Sequence, residues 1–268
     1  MGVPQLSTRL CREVPRVEAR TESGEVESAV TSVEASRRVL RPGEDLRRLA
    51  RRANDELANA SALEILGWAH ATFGAGLAVT SSLADTVMVH LAEQVAPGID
   101  VLFLDTGYHF AETIGTRDAV AAIHNVNLIS LTPAQSVAEQ DATWGKDLFA
   151  SDPDQCCALR KTAPLDAALA GYTAWASGVR RADSPARANT PIVEWDLRRK
   201  IVKVYPLAAW SDDEVADYIE ANSLLVNPLF EDGYTSIGCA PCTSRASADD
   251  PRAGRWAGLA KTECGIHR

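Results

Sequence analysis

The fold is decided by the stretch Gly76-Leu-Ala-Val-Thr-Ser-Ser82, a short apolar run that ends in small polar residues. Such a run predicts a buried strand that leads into a loop. A second apolar run, Asp100-Val-Leu-Phe-Leu104, predicts another buried strand, and residues 127–131 a third. Helical patterns cover residues 84–96 and 110–125 between them. Strands and helices that alternate over short connections predict an α/β fold with a doubly wound, mostly parallel sheet.

Further elements are predicted on both sides of this core. A capping box, Ser211-Asp-Asp-Glu214, opens the last clear helix, and the chain is expected to be irregular after Asn227-Pro228. The remaining predicted elements are two amphipathic helices between residues 44 and 69, a fourth strand at 172–177, and an edge hairpin of 192–195 with 201–205.

The composition restricts the class of protein. With 268 residues, 46% of them hydrophobic, the chain can bury a full core. Residues 1–38 have few large apolar side chains and cannot offset the entropy of ordering, so we predict a disordered tail in which Cys11 is incidental. The net charge of −9 argues against a nucleic-acid-binding protein.

No apolar run of the chain resembles a signal peptide or is long enough to span a bilayer, so we expect a cytoplasmic protein without a membrane partner. Thiols stay reduced in the cytoplasm. Clustered cysteines in this chain therefore indicate metal binding or catalysis rather than a disulfide framework.

Five of the six cysteines form an unusual arrangement. Cys156 and Cys157 are adjacent, Cys239 and Cys242 form a C-x-x-C motif, and Cys264 lies near the C-terminus. Four of these can provide thiolates for a metal centre, whose usual occupants are zinc or an iron–sulfur cluster. Adjacent helical residues project about 100° apart, which suits the separate corners of a cubane better than one tetrahedral ion. A [4Fe–4S] cluster is thus favoured, with structural zinc and buried free cysteines as the alternatives.

Polar residues follow the first two predicted strands. The carboxyl ends of strands in an open α/β sheet are where ligands bind. Ser81 and Ser82 could hold a phosphate with their hydroxyls and the helix amides beyond them. After the second strand, Gly107 permits a tight turn, Asp105 could contact a ribose or base, and Thr106 lies between them. We predict one ligand pocket over these strand ends.

Cations in an acidic chain indicate an anion site. Lys161 lies one helical turn after Cys157, and three arginines follow the fourth predicted strand: Arg180, Arg181 and Arg187. Arg252 and Arg255 lie further on at helix-like spacing. Convergence of several such side chains on the strand ends would bind an anionic ligand. Cys264, in a predicted mobile tail with Lys261 and His267, is a candidate reactive thiolate, the alternative being a spare exposed thiol.

The motifs together resemble a known family. The stretches that match it are Cys156-Cys157-Ala-Leu-Arg-Lys161, Gly238-Cys239-Ala-Pro-Cys242-Thr243, Arg252-Ala-Gly-Arg255-Trp256, Glu263-Cys264-Gly-Ile-His267, Leu104-Asp-Thr-Gly-Tyr-His-Phe-Ala-Glu-Thr113 and Ser177-Gly-Val-Arg-Arg181. They look like those of the assimilatory adenylyl-sulfate reductases of the iron–sulfur type. That family has the adenine-nucleotide α-hydrolase-like (PP-loop) fold and reduces adenosine 5′-phosphosulfate to sulfite and AMP, with thioredoxin as electron donor.

The resemblance implies a role for particular residues. Cys156, Cys157, Cys239 and Cys242 would ligate a [4Fe–4S] cluster, and Cys264 would be the nucleophile. The side chains that would contact the phosphosulfate are Lys161, Arg187, Arg252 and Arg255. On this basis residues 39–235 are expected to form the nucleotide-binding domain, and residues 236–268 a cluster loop and catalytic tail.

Two other functions remain open from the sequence. A 3′-phosphoadenylyl-sulfate reductase shares the fold and terminal nucleophile but lacks the four cluster cysteines. A zinc-stapled binding module with Cys264 as redox sensor would use the same thiols. The sequence leaves open whether the chain forms a homo-oligomer.

Overall fold

The computed structural model describes residues 45–246, 250 and 252–267. The predicted tail at residues 1–38, with Cys11, lies outside these residues and stays a prediction. Within the part of the chain that is described, every helix is too short or too polar to cross a bilayer.

A six-stranded sheet forms the centre of the fold. Its order is β3-β2-β1-β4-β6-β5, and all pairings are parallel except β5 with β6 at one edge. This confirms the predicted doubly wound, mostly parallel sheet with an edge hairpin. The strands are β1 (Leu77–Thr80), β2 (Asp100–Leu104), β3 (Asn127–Leu131), β4 (Ala174–Ser177), β5 (Val193–Asp196) and β6 (Ile201–Val204).

The central strands are short apolar runs because both faces of the sheet are covered. In β1, Val79 pairs with Val101 of β2 on one side and Ala176 of β4 on the other, and all three are fully buried. Trp175 and Phe103 are among the largest side chains with almost no exposure. The strands therefore hold their carboxyl ends in fixed positions beside one another.

Helices surround the sheet, and several begin with a side-chain cap. Ser61, Ser136 and Ser211 each form a capping box with a glutamate three residues on. The helices are α1 (Leu46–Glu56), α2 (Ala62–Phe73), α3 (Val87–Val95), α4 (Ala111–Ile123), α5 (Val137–Trp144), α6 (Leu148–Ser151), α7 (Pro153–Cys157), α8 (Ala163–Leu169) and α9 (Asp212–Asn222).

Two predictions about local structure were wrong. The helix expected over residues 84–96 begins at Val87, because Leu83 adopts a left-handed backbone with φ 56° and the Asp85 carboxylate accepts from the Val87 amide at 3.0 Å. Arg252 and Arg255, whose spacing suggests a helix, also do not lie in one. Those residues lie in turns, and Arg255 forms a β-bridge with Thr243.

A π-helical turn, Ala158–Thr162, joins α7 to α8. Its Ala163 amide donates to the Ala158 carbonyl five residues back. Such widened turns occur often at functional sites. This one directly follows the adjacent cysteines at the end of α7 and carries Arg160 and Lys161, and the sequence pattern gave no sign of it.

Candidate active site and metal centre

A cavity of about 660 Å³ opens at the carboxyl ends of β1, β2 and β4. The strand order reverses at this point, since β2 and β3 lie to one side of β1 and β4 and β6 to the other. Ligands of open α/β sheets bind in the crevice at such a reversal. The cavity is large enough for a nucleotide, because small-molecule sites usually measure about 300–1,000 Å³.

The loop after β1 forms one wall of this cavity. Ser81 and Ser82 both line it, as does Asp85. The Ser81 hydroxyl accepts a hydrogen bond from the Leu83 amide at 3.2 Å, which fixes the turn between β1 and α3. Burial raises the pKa of the Asp85 carboxyl.

The loop after β2 contributes Thr106 to the cavity, whereas Asp105 and Gly107 do not line it. The Asp105 carboxylate instead pairs with Arg117 at 3.2 Å and accepts from the Gly107 amide at 3.1 Å. Gly107 forms the expected tight turn, with φ 72°. The Asp105 carboxylate is thus engaged by Arg117 and does not line the cavity, and its ribose or base contact stays a prediction.

Five cationic side chains converge on the cavity. They are Lys161, Arg180, Arg187, Arg252 and Arg255. The sixth candidate, Arg181, is exposed and donates instead to the Thr190 carbonyl at 2.8 Å. Asp183 and Asp212 also line the cavity and pair with Arg180. Lys161 and Arg255, in contrast, form no ion pair with a carboxylate of the described residues, so these two cations are the ones left for an anionic ligand.

Arg187 and Arg252 share one carboxylate partner. The Arg187 Nε and Nη2 atoms donate to the two Glu263 oxygens at 2.9 and 2.8 Å, and its Nη1 donates to Asp183 at 2.8 Å. Arg252 Nη2 reaches Glu263 at 3.3 Å. Burial would raise the pKa of Glu263, but the hydrogen bonds and positive charge of Arg187 hold it below its ordinary value. Glu263 has no predicted role from the sequence, although it directly precedes the candidate nucleophile Cys264.

Arg255 is held differently, against a glycine. Its Nη1 donates to the Ile237 carbonyl at 3.1 Å, and its guanidinium lies 4.8 Å from the centre of the Trp256 ring. A Cβ on Gly238 would lie 2.1 Å from Arg255 Nη2. The absence of a side chain at Gly238 thus allows Arg255 to lie where it does.

The C-terminal tail places Cys264 on the cavity wall. Beyond it, the His267 ring stacks on Trp175 with centres 5.4 Å apart, and its carbonyl accepts from Lys203 at 3.4 Å. Ile266 packs against the same buried cluster as Trp175. The tail is therefore held on both sides of Cys264, by the sheet after it and by the arginine partners of Glu263 before it.

A second, smaller cavity is lined by all four of the other clustered cysteines, Cys156, Cys157, Cys239 and Cys242. Lys161 and Cys239 line both cavities. Burial, and then the charge of the neighbouring thiols, raises the pKa of Cys156 to about 12. Burial also raises the pKa values of Cys157 and Cys242. These thiols are costly to ionise unless a metal takes the proton's place.

The two cavities are connected by a short hydrogen-bonded path. The Thr106 hydroxyl lies 3.2 Å from the Cys239 sulfur, and the buried Arg160 donates through Nε to the Thr106 carbonyl. Arg160 also donates to Gln140 at 3.0 Å. The sequence pattern does not point to Arg160, because a buried arginine is unusual and its partners are distant in the chain.

The four thiols lie around one small cavity and are close enough for their charges to act on one another. Among residues 45–246 and 252–267, no three His, Cys, Asp or Glu side chains are grouped to hold a single metal ion. Their chemistry does fit: four soft donors stand beside two cations, Arg160 and Lys161, that can balance the charge of a thiolate cluster.

The fold and the site define an α/β protein of the PP-loop type, with a cation-lined crevice at the carboxyl ends of its strands and a cysteine on the wall of that crevice. The family model described as the phosphoadenosine phosphosulfate reductase domain matches residues 76–245. The chain belongs to this family. The matched residues include all six strands of the sheet and both pairs of clustered cysteines.

The names of curated relatives indicate a substrate more specifically than the name of the family does. An adenosine 5′-phosphosulfate reductase of Streptomyces coelicolor is 59% identical over 228 residues, covering 85% of this chain and 97% of the relative. One of Mycolicibacterium smegmatis is 57% identical over 224 residues, covering 83% and 95%. A solved phosphoadenylyl-sulfate reductase from Candida auris, a phosphate complex, superposes with a TM-score of 0.63 at 28% identity, covering 73% of this chain and 96% of that one.

Proposed function

We propose that this protein reduces adenosine 5′-phosphosulfate to sulfite and AMP, with Cys264 as nucleophile. The observation that carries the proposal is the cavity at the strand reversal, which brings Cys264 together with Lys161, Arg187, Arg252 and Arg255. The names of the relatives support the choice of substrate. This activity belongs to sulfate assimilation.

In the first step the Cys264 thiolate attacks the sulfur of the phosphosulfate. A new bond forms between the two sulfurs, and the bond from sulfur to the phosphate oxygen breaks, so that its electron pair leaves with AMP. Anionic oxygens shield the sulfur from a thiolate, and Lys161 and Arg255 offset that repulsion from the cavity wall. The product on the enzyme is an S-sulfocysteine at position 264.

In the second step an external dithiol, for which we propose thioredoxin, discharges the enzyme. Its thiolate attacks Cys264 Sγ, the bond between the two sulfurs breaks, and sulfite leaves with the electron pair. The second thiol of the donor then resolves the mixed disulfide. The dithiol supplies the two electrons that reduce the substrate sulfur.

A [4Fe–4S] cluster is the cofactor we propose for Cys156, Cys157, Cys239 and Cys242. When bound, it would hold the Lys161 ammonium in place by its negative charge and bind the loop at residues 239–242 to α7. Lys161 lies on the wall of both cavities, so its ammonium would face the thiolates and the substrate anion together.

One assay tests the reaction and separates it from its closest alternative. Incubation with adenosine 5′-phosphosulfate and no dithiol should add one sulfonate to the peptide that contains Cys264 and release one AMP, because only an external thiol can remove the sulfonate. The 3′-phosphorylated nucleotide should load far more slowly. Equal or faster loading by the 3′-phosphorylated form would instead establish a phosphoadenylyl-sulfate reductase.

The Cys264→Ser variant is the matched control for this assay. It should form no adduct and yet retain iron and acid-labile sulfide, since Cys264 lines the other cavity and not the four-thiol one. Cys239→Ser should lose both. Stoichiometric zinc without sulfide in an anaerobic preparation would contradict the cluster, and a sulfonate on another cysteine would contradict the role of Cys264.

A further inference from the structure

Glu263 is the only carboxylate of the described tail, residues 252–267, and it forms a bidentate ion pair. Its side chain is 16% exposed, as is that of Arg187. Two parallel bonds from a guanidinium to a carboxylate fix orientation as well as distance. Because Glu263 precedes Cys264 directly, this pair fixes the backbone that carries the nucleophile.

Arg252 strengthens the same contact. Its Nη2 atom donates to the Thr262 carbonyl at 3.1 Å and to Glu263 at 3.3 Å. Two residues of the tail immediately before Cys264 are thus held by one arginine. Arg187 is in turn oriented by Asp183, which it meets at 2.8 Å.

The Glu263–Arg187 ion pair leaves the cavity open and leaves cationic side chains in it for a substrate. With the tail docked, the cavity still measures about 660 Å³. Among the described residues, Lys161 and Arg255 line it without a salt bridge to any carboxylate, so they remain available to an anion. Glu263 therefore does not have to leave its arginines before a nucleotide enters.

We propose that Glu263 is a positioning residue that docks the tail on Arg187 and Arg252 and so aims Cys264 at the substrate sulfur. Arg187 and Arg252 then hold the nucleophile, and Lys161 and Arg255 hold the phosphosulfate. This inference rests on the proposed function. The inference adds to the proposed function a division of the cationic side chains into two groups with different tasks.

The test compares Glu263→Gln with the parent in three measurements. The first-order rate of sulfonate loading at saturating adenosine 5′-phosphosulfate should fall about 10- to 100-fold, because a displaced nucleophile loses its alignment. AMP should bind as tightly as before or more tightly, since the variant removes one negative charge from beside Arg187 and Arg252. A variant that merely damaged the site would instead bind AMP more weakly.

The third measurement reports docking without any chemistry. The Lys261 side chain is 5% exposed and pairs with Asp154. Trypsin can therefore cut after Lys261 only when the tail undocks. Release of residues 262–268, followed by intact mass, should be faster in Glu263→Gln. The release rate of Glu263→Asp, which keeps the charge, should fall between those of the parent and Glu263→Gln. The release rate of Glu231→Gln, which removes an exposed carboxylate outside the tail, should match that of the parent.

The outcomes are distinct. Parent-like loading or parent-like trypsin release by Glu263→Gln overturns the inference, as does weaker AMP binding. If the parent itself forms no adduct, the proposed function fails, while the trypsin comparison still decides whether Glu263 docks the tail.

Discussion

At the residue scale, Gly238 and Arg255 act as a pair. Arg255→Ala removes a charge-assisted contact worth about 1.5–3 kcal/mol, so AMP affinity should fall about 10- to 100-fold. Gly238→Ala should weaken binding in the same direction, because its Cβ would lie 2.1 Å from Arg255 Nη2 and the flexible guanidinium must move away. Isothermal calorimetry with AMP measures both.

The control for this pair is Arg181→Ala, which removes an exposed arginine that does not line the cavity. It should bind AMP as the parent does. Parent-like affinity in Arg255→Ala would show that this guanidinium holds the Cys239 loop and not the ligand.

At the element scale, the turn after β2 depends on Gly107. Its φ of 72° suits glycine, and an added Cβ would lie 3.0 Å from Arg160 Nη2. Gly107→Ala should lower the free energy of unfolding by about 1–2 kcal/mol. Gly115→Ala, in α4 with open space around it, should raise it by about 0.5–1 kcal/mol.

Anaerobic urea unfolding of the two glycine variants gives these free energies. Changes of opposite sign are expected. A Gly107→Ala variant as stable as the parent would mean that the loop relaxes without strain, and that Arg160 does not fix it.

At the scale of the whole molecule, docking of the tail should depend on pH through His267. Burial, together with the positive charges of Arg187, Lys203, Arg199 and Arg252, lowers its pKa well below the ordinary 6.5. The docked ring is therefore neutral, and the undocked ring takes up a proton as the pH falls. Docking should be at full strength above pH 6.5 and weaken progressively below it.

Trypsin release of residues 262–268 between about pH 7.5 and about pH 5.5 measures this dependence. His267→Gln, which cannot titrate, serves as the control at each pH and corrects for the protease itself. The ratio of parent to variant release should rise toward acid. A constant ratio would show that protonation of His267 is not coupled to docking.

The sequence by itself determined the sheet and the residue types of the site. Strands β1 to β3 are continuous apolar runs between helical patterns, and such local periodicity survives in the fold because both sheet faces are covered. The cysteine spacing indicated a metal centre and a separate thiol. The ends of parallel strands placed Ser81, Ser82 and Thr106 together, since that edge is shared by topology.

Only the tertiary structure decided which side chains meet. Asp105 follows β2 as predicted, but Arg117 from the next helix takes its carboxylate away from the cavity. Glu263 meets Arg187, 76 residues earlier in the chain, and Arg160 reaches Thr106 across 54 residues. Periodicity reports how a segment faces its immediate neighbours. Ion pairs between distant segments depend on packing of the whole chain, and no local pattern encodes them.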